Sequence, residues 1–234
     1  MNRRTFVKGA AAALPALAGL DFPRPAAGGD LSPIILPKPE TEWGGTLASA
    51  LKGRKTIRDI SPDPLPPQTL STLLWAAFGV NRSEMGFMGR PGRTAPSASN
   101  SQEIDLYVCL ENGVYVYDPV PHVLNPIAAG DLRVRAGRSP AHKAPVNIFY
   151  VVDLTRYVAG KGQPDKRISD PEVQKSYYYT DTGFIAQNVY LFAAARGLAA
   201  WFHNCDRENP VKEFKLRPEQ RVLFAQTVGY PAKS

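Results

Sequence analysis

The spacing of apolar residues along the chain predicts three helices. Leu47 and Leu51 lie four residues apart and predict a helix over 46–52, which Gly53 follows in the position of a C-terminal cap. A denser apolar stripe predicts a buried helix over 68–80. The longest helical pattern covers 175–197. Its predicted buried stripe contains Phe184, Ile185, Val189, Phe192 and Ala193.

Alternating and continuous apolar runs predict the strands of a sheet. Apolar and polar residues alternate over 103–110, and the pair Asn112-Gly113 predicts a hairpin turn into a strand over 114–117. A nearly continuous apolar run over 144–154 is typical of a central strand. The remaining predicted strands cover 198–202 and 221–228.

Polar segments separate these elements and are expected to form connections. The stretch 81–102 is mostly Gly, Ser, Arg, Pro and Asn, and a loop of that length is uncommon unless it is functional or disordered. We expect a polar, partly short-helical connection over 121–137 and a charged loop over 156–170. The whole pattern predicts a mixed sheet covered by helices in one domain.

The first 27 residues have the layout of an export signal. A basic start precedes an Ala- and Leu-rich run that is short for a membrane span. The residues Asn2-Arg3-Arg4-Thr5-Phe6 resemble the twin-arginine motif, and the alternative is the basic start of a general secretory signal. Cleavage after Ala18 and cleavage after Ala27 both remain open. The twin-arginine route carries folded proteins, often with a cofactor, so we expect an exported, periplasmic protein.

After the signal, 28–45 is a Pro- and Gly-rich extended lead-in, and 46–234 is the predicted folded domain. The chain has a net charge of +7, of which the first 27 residues carry +3, and the remaining +4 is too weak to favour nucleic-acid binding. Two cysteines predict no disulfide framework, and three scattered histidines match no zinc signature. No second apolar stretch approaches the length of a membrane span.

The basic segment Arg54-Lys55-Thr56-Ile57-Arg58 is the first candidate site. If it is extended, Arg54, Thr56 and Arg58 share one side and Ile57 faces the core. Two guanidinium groups and a hydroxyl suit a phosphate. The alternative is a solvated basic loop whose charges pair with Asp59 or Asp63.

Two further segments could contact a ligand. Pro96, Ser97, Ala98 and Ser99 belong to the octet "RTAPSASN", whose small side chains would let the backbone approach a flat ligand, although a merely flexible loop has the same composition. The segment His203-Asn204-Cys205-Asp206 follows an apolar strand, and neither metal nor nucleophilic chemistry fits its spacing. His122 and His142 are expected to be structural or exposed. Nucleophile-elbow, P-loop, Rossmann and HExxH motifs are absent from the sequence.

Six segments in order resemble the flavin-dependent nitroreductases, most of all the branch of azoline-oxidising dehydrogenases of peptide-toxin biosynthesis. The resemblance runs from about residue 46 to 231. Its segments are ALKGRKTIRD, LSTLLWAAFGVN, RTAPSASNSQEIDLYV, GVYVYDP, GFIAQNVYLFAAARGLAAWF and VGYP.

This resemblance implies an α+β fold with a mainly antiparallel central sheet flanked by helices, and a homodimer that binds FMN at its interface. It implies that Arg54, Thr56 and Arg58, with Lys55 nearby, hold the phosphate and ribityl chain. It places Pro96, Ser97, Ala98 and Ser99 beside the ring and brings Asn204 and Cys205 to its redox edge. The implied activity is ping-pong hydride transfer on a small or peptide-derived substrate, in which no side chain need act as acid or base.

Two departures from the family pattern leave an alternative open. Ser99 stands where the branch usually has Gly, and the chain ends at Lys233-Ser234, where many members have later basic residues. The alternative is a flavin- or ligand-binding protein, or a scaffold, without turnover. Because free reduced nicotinamides are not expected outside the cytoplasm, a dehydrogenase or oxidase direction gains weight.

Overall fold

A seven-stranded antiparallel sheet forms the centre of the protein in a computed structural model. The structure describes residues 31–43, 45–86, 89–137, 141–159, 163–164 and 168–233, so the predicted signal at 1–27 lies outside the described residues. The strands are β1 (Ile34–Ile35), β4 (Ile104–Leu110), β5 (Gly113–Asp118), β6 (Val123–Ala129), β7 (Val146–Asp153), β10 (Ala199–His203) and β11 (Gln220–Gly229). They lie in the order β1-β6-β5-β4-β7-β11-β10, and each neighbouring pair is antiparallel.

Two small hairpins lie outside the central sheet. They are β2 (Val80–Met85) with β3 (Pro91–Arg93), and β8 (Val158–Ala159) with β9 (Gln163–Pro164). The helices are α1 (Leu47–Gly53), α2 (Pro67–Phe78), α3 (Pro171–Ala195) and α4 (Asn209–Glu213). Short 3-10 helices cover Ala98–Asn100, Arg133–Ala136, Ala141–Lys143 and Leu154–Arg156.

Helices α2 and α3 cover one face of the sheet and bury the larger core. The side chain of Asp170 accepts a hydrogen bond from the Glu172 N–H and caps α3, and Pro171 occupies the first turn, where a missing N–H costs nothing. The core comprises side chains such as Leu70, Leu74, Ile148, Ile185 and Val189. The other face carries a smaller cluster that includes Tyr107, Phe149 and Phe214.

Two predicted connections contain strands. The segment 121–137 contains β6, which pairs with both β1 and β5, followed by the 3-10 helix Arg133–Ala136. Pro126 lies inside β6, opposite Tyr115 and next to a register shift, where the regular hydrogen-bond ladder is interrupted and a proline is tolerated. Proline in the sequence argues against a strand, so β6 was not predicted. The predicted loop 81–102 contains the hairpin of β2 and β3. Both predictions were wrong because turn-forming residues outweighed weak strand patterns.

Smaller corrections concern helix ends and one buried position. The C-terminal cap of α1 was predicted at Gly53. Gly53 is instead the last residue of the helix, and Arg54, with φ −61°, occupies the cap position. The second helix ends at Phe78 because Val80 already pairs in β2. Phe184 was predicted to be buried on α3, yet 44% of it is exposed. Helix α4 was not predicted, and the sheet is antiparallel throughout its described strands instead of mixed. None of the described helices is long and apolar enough to span a membrane.

Candidate functional site

The basic segment 54–58 lies along the outer edge of β10. The Ile57 N–H donates to the Ala200 carbonyl at 3.1 Å, and the Ile57 side chain packs on Ile60 and Ala199 as predicted. Among the described residues, Arg54, Lys55 and Arg58 form no ion pair. The predicted alternative, in which these charges pair with Asp59 or Asp63, is therefore not observed. The three cations have no ion-pair partner in the described parts of the chain.

Tyr190 of α3 connects this edge to the sheet. Its hydroxyl lies 3.1 Å from Thr56 Oγ1 and accepts a hydrogen bond from the Phe202 N–H at 2.9 Å. The Arg54 guanidinium lies over the Tyr190 ring, 5.6 Å from its centroid. Arg58 instead lies over the ring of Trp201, at 5.8 Å. The structure thus brings Arg54 and Thr56 together and directs Arg58 to a separate partner on the same edge.

The C-terminal tail ends beside the same segment. The Ser61 N–H donates to the Tyr230 carbonyl at 2.8 Å, and the Ala232 N–H donates to the Asp59 carbonyl at 2.9 Å. These two bonds hold the tail directly after Arg58. Lys233 is exposed and follows the second bond, so it adds a fourth cation to the neighbourhood of this edge.

The loop that contains Ser97, Ala98 and Ser99 is held in an unusual backbone conformation. Ser99, Asn100 and Gln102 have φ angles of 52°, 53° and 49°, in the left-handed region that favours glycine. The Gln102 N–H donates to Ser97 Oγ at 3.0 Å, and Asp181 Oδ2 accepts from the Ala98 N–H at 2.8 Å. The loop is therefore a constrained turn, and its position against α3 depends on a buried carboxylate.

That carboxylate belongs to a buried acidic pair. Asp181 and Glu103 are 3% and 0% exposed, and Ser101 Oγ donates to Glu103 Oε2 at 2.5 Å. Burial, reinforced by the negative charge of Glu103, raises the pKa of Asp181 to about 8. Asp181 therefore holds a proton at neutral pH while its other oxygen positions the loop.

The end of β10 carries His203, Asn204 and Cys205. His203 Nδ1 donates to the Asn204 carbonyl at 2.8 Å, and Nε2 lies 2.8 Å from Thr227 Oγ1. Thr227 also donates to Asn147 Oδ1 at 2.6 Å. The Thr227 hydroxyl has a single hydrogen, which it donates to Asn147, so it can only accept from His203 Nε2. A proton on Nε2 would complete this network. Burial disfavours the doubly protonated imidazolium and lowers the pKa of His203.

Cys205 packs against the smaller core cluster. Burial raises the pKa of its thiol to about 12, so it is protonated at neutral pH and unsuited to act as a nucleophile. Cys109 is fully buried, and both cysteines are free. Within the described residues no group of three or more His, Cys, Asp or Glu is placed to hold a metal ion.

The three predicted segments are spread along an elongated region. Tyr190, beside Thr56, and Asp181, beside Ala98, lie nine residues apart on α3, which corresponds to roughly 13 Å along the helix. Asn204 follows the end of β10, four residues beyond the Ala200 carbonyl that holds Ile57. Pro96 is exposed next to the constrained turn. The arrangement suits a long ligand with an anionic group at one end.

Sequence reasoning missed the residues that support these segments. Tyr190 stands in an apolar helical stretch and gives no sign of its bonds to Thr56 and Phe202. Asp181 could have been noticed, because it is a carboxylate next to the predicted buried stripe of the longest helix. His122 was correctly predicted to be structural, since it bonds to Ser71 and Tyr117.

Comparisons with known proteins identify a family for this chain. The Nitroreductase family matches residues 51–230. A protein of Methanocaldococcus jannaschii that carries a provisional nitroreductase name is 29% identical over 208 residues, which cover 86% of this chain and 98% of the relative.

Solved structures show the same fold. A crystal structure of a provisionally named nitroreductase from Ralstonia eutropha is 35% identical, with a TM-score of 0.77, and the match covers 92% of this chain and 97% of that one. A chain of the E. coli microcin synthetase McbBCD complex with truncated pro-MccB17 bound has a TM-score of 0.60 at 18% identity, over 75% and 68% of the two chains.

Proposed function

The chain belongs to the nitroreductase family and is an oxidoreductase of nitroreductase type, and from this premise we propose an exported, FMN-dependent enzyme. The family generally binds flavin, and FMN is the flavin that this proposal assigns. The enzyme acts by a ping-pong mechanism, in which donor and substrate react in turn, on a small or peptide-derived substrate. The main support for this proposal is the basic segment 54–58 beside β10, whose cations form no ion pair among the described residues.

This edge fits the phosphate end of FMN. Arg54, Lys55 and Arg58 have no carboxylate within ion-pair distance in the described parts of the chain, and the Thr56 hydroxyl lies among them. A guanidinium can donate two parallel hydrogen bonds to a phosphate, and a lysine supplies a further point charge. A dianion here would neutralise charges that the protein leaves unpaired, whereas riboflavin, which lacks phosphate, would not.

FMN, when bound, supplies the two-electron redox chemistry of the reaction. The protein's residues orient the reactants and hold protons. The constrained turn of Ser97, Ala98 and Ser99 presents small side chains that let the backbone lie close to a flat ring. His203 holds a hydrogen at Nδ1 against the Asn204 carbonyl, and Thr227 Oγ1 stands ready to accept one from Nε2. Cys205 stays protonated and takes no covalent part.

The proposal includes a homodimer. Leu47 and Leu51 of α1 are 67% and 53% exposed, and Phe184 of the adjacent α3 is 44% exposed. Three large apolar side chains on two contacting helices form a surface that a second copy would cover.

Export completes the proposal and bears on the direction of electron flow. Its support is the sequence of residues 1–27, with the domain expected to begin at about residue 46. A dehydrogenase or oxidase direction suits a compartment that lacks free reduced nicotinamides. Cell fractionation of an Arg4→Lys variant tests export, and unchanged periplasmic delivery would contradict the twin-arginine route.

The decisive experiment compares FMN with riboflavin. We expect purified protein to be yellow, or to become yellow with added FMN, and to bind FMN at least tenfold tighter than riboflavin in a fluorescence-quenching titration. Arg54→Gln should weaken FMN binding about tenfold and leave riboflavin binding nearly unchanged, because only FMN carries the phosphate. Lys52→Gln removes an exposed cation from the last turn of α1 and serves as the matched control.

Several outcomes would contradict the proposal. Colourless protein that takes up no FMN rejects the flavin, and equal losses in Arg54→Gln and Lys52→Gln reject the phosphate assignment. Bound FMN that no donor reduces, across a broad panel, would identify a flavin-binding protein without turnover. Intersecting instead of parallel double-reciprocal plots would reject the ping-pong mechanism.

A further inference from the structure

A cavity lies several strands away from the basic edge, at β4, β5 and β6 of the central sheet. Its volume is about 460 Å³, within the range of small-molecule sites. It is lined by the beginning of β4, the end of β5, part of β6 and the segment between α4 and β11. From β5 to β10 the sheet order counts four strand spacings, roughly 19 Å. None of the predicted FMN-binding residues lines this cavity.

The cavity contains a largely buried guanidinium that forms no ion pair within the part of the chain that the structure describes. Arg93 Nε donates to Gln102 Oε1 at 2.7 Å and Nη1 donates to the Phe78 carbonyl at 2.9 Å, and both of these acceptors are neutral. The guanidinium lies over the Phe78 ring at 4.8 Å. Burial lowers the pKa of Arg93 to about 10, which still leaves it charged at neutral pH. Asp118 and Asp105 act on this charge only from beyond ion-pair distance. Buried charges are normally paired directly, so the guanidinium can still accept an anion as a contact partner.

The other cations of the cavity differ in how they are neutralised. Arg156 is bound to Asp105 at 2.5 Å, and Arg217 is bound to Asp153 at 2.5 Å. Lys215 forms no ion pair among the described residues and is exposed at the cavity rim. Arg93 and Lys215 are therefore the two charges that a ligand could satisfy.

Lys215 also occupies a position that normally favours glycine. Its φ is 53°, just after α4, where a left-handed residue ends a helix and glycine avoids the steric cost. Backbone strain of this kind is concentrated at functional sites, and the side chain of Lys215 lines the cavity.

The remaining walls are partly apolar. Val116, Ile127 and Phe214 line the cavity, and the only carboxylates among its lining residues are Asp105, already paired with Arg156, and Asp118, which accepts from the Val120 N–H. Four cations line the cavity against these two carboxylates, and Asp153 outside the lining neutralises Arg217, so one positive charge remains in excess. An apolar wall opposite unpaired cations fits a ligand that has an anionic group on an apolar body.

We infer that this cavity binds a small organic carboxylate, which pairs with Arg93 and Lys215 and packs its apolar part on Val116, Ile127 and Phe214. The site is separate from the FMN site of the proposed function. The cavity is connected to the FMN site through Gln102. Arg93 and Arg156 both donate to Gln102, and the Gln102 N–H donates to Ser97 Oγ. An occupant would therefore hold the end of the constrained turn.

Benzoate is the probe that tests this inference, with benzamide as its neutral counterpart of the same shape. We expect calorimetric titration of the purified full chain to show benzoate binding at least tenfold tighter than benzamide. Lys215→Met should weaken benzoate binding at least threefold and Arg93→Gln at least tenfold. Arg54→Gln should leave it unchanged, because that cation lies several strands away. Inorganic phosphate, which has no apolar part, should bind at least tenfold more weakly.

The outcomes separate cleanly. Equal affinity for benzoate and benzamide, no measurable benzoate binding, or benzoate binding lost in Arg54→Gln but kept in Lys215→Met would each overturn the inference. Phosphate binding as tightly as benzoate would also overturn it, because the apolar wall would then contribute nothing. Arg93 holds two structural bonds, so if Arg93→Gln fails to fold, the exposed Lys215→Met decides. The readout is binding, so it stands whether or not the protein holds FMN.

Discussion

Two buried aspartates in this protein have opposite electrostatic surroundings. Asp153, at the end of β7, is bound by Arg217 at 2.5 Å and lies 3.6 Å from Arg156, and Thr155 donates to it. Asp181, on α3, accepts the Ala98 N–H and shares a side-chain hydrogen bond with the neighbouring carboxyl of Glu103. Burial alone would raise the pKa of both groups. At Asp153 the Thr155 bonds and the two arginines outweigh burial and lower the pKa, whereas at Asp181 it rises to about 8.

The difference shows that burial does not determine what an acid does in this fold. Asp153 with Arg217 and Arg156 forms a fixed cluster of charges that joins β7 to the segment before β11. Both arginines line the cavity that we assign to a carboxylate. The Asp181 pair stores a proton directly behind the turn that we assign to the flavin. One cluster contributes stability at every physiological pH, and the other makes the turn sensitive to pH.

The largest effect is expected from Asp181→Asn, measured against pH. Folded Asp181 keeps its proton up to a pH of about 8, whereas an unfolded aspartate loses it near a pH of about 4. The free energy of unfolding should therefore fall as pH rises between these limits, by at most about 1.4 kcal/mol per pH unit. Asparagine does not titrate and can still accept the Ala98 N–H, so the variant should lose this slope in urea unfolding at pH 5 to 8.

Asp153→Asn is the control for that slope. Because the pKa of Asp153 is lowered, its contribution is present above the unfolded pKa and is lost only as pH falls below it. The variant should therefore keep the wild-type slope between pH 5 and 8. A wild-type protein whose stability does not change over this interval would contradict the proton assigned to Asp181.

The same Asp153→Asn variant gives the second effect, at constant pH. Removing the charge breaks a charge-assisted bond to Arg217 and leaves Arg156 with less compensation, so we expect a loss of about 1.5 kcal/mol at pH 7. Chemical denaturation followed by tryptophan fluorescence measures it. A loss equal to that of Arg217→Ala, whose side chain is 56% exposed, would mean that the pair acts only as a surface bridge.

Much of the fold could be predicted from apolar patterning. The strands around 103–110, 144–154 and 221–228 are confirmed, as are the long helix and the hairpin between β4 and β5. The hairpin turn lies one residue earlier than predicted, at Glu111-Asn112, because Gly113 already pairs with Leu110. Strand β6 could not be predicted, because it contains a proline and is held by pairing with two neighbours instead of by its own pattern. Its pairing with β1, which is distant in sequence, leaves no local signal.

The candidate site could be predicted only in part. Period-two alternation correctly placed Ile57 toward the core and brought Arg54 and Thr56 to a common partner. It could not show that Arg58 turns to Trp201 or that Tyr190 joins the segment to the sheet. The roles of Asp181 and Glu103 depend on their burial and on their closeness to each other, which are properties of the packed chain and not of any motif.

The smallest effect is expected from Ser99→Gly, in the turn that Asp181 holds. Ser99 has a φ of 52°, which costs a residue with a side chain roughly 1 kcal/mol, whereas glycine adopts it freely but loses more entropy on folding. The two terms partly cancel, so we expect stabilisation of less than about 1 kcal/mol by urea unfolding. Ala98→Gly is the matched control: its φ is not positive, so glycine there should destabilise by roughly 0.5 to 1 kcal/mol. If both variants lose stability equally, the left-handed turn is not strained, and Ser99 fills the glycine position of the family pattern at no cost.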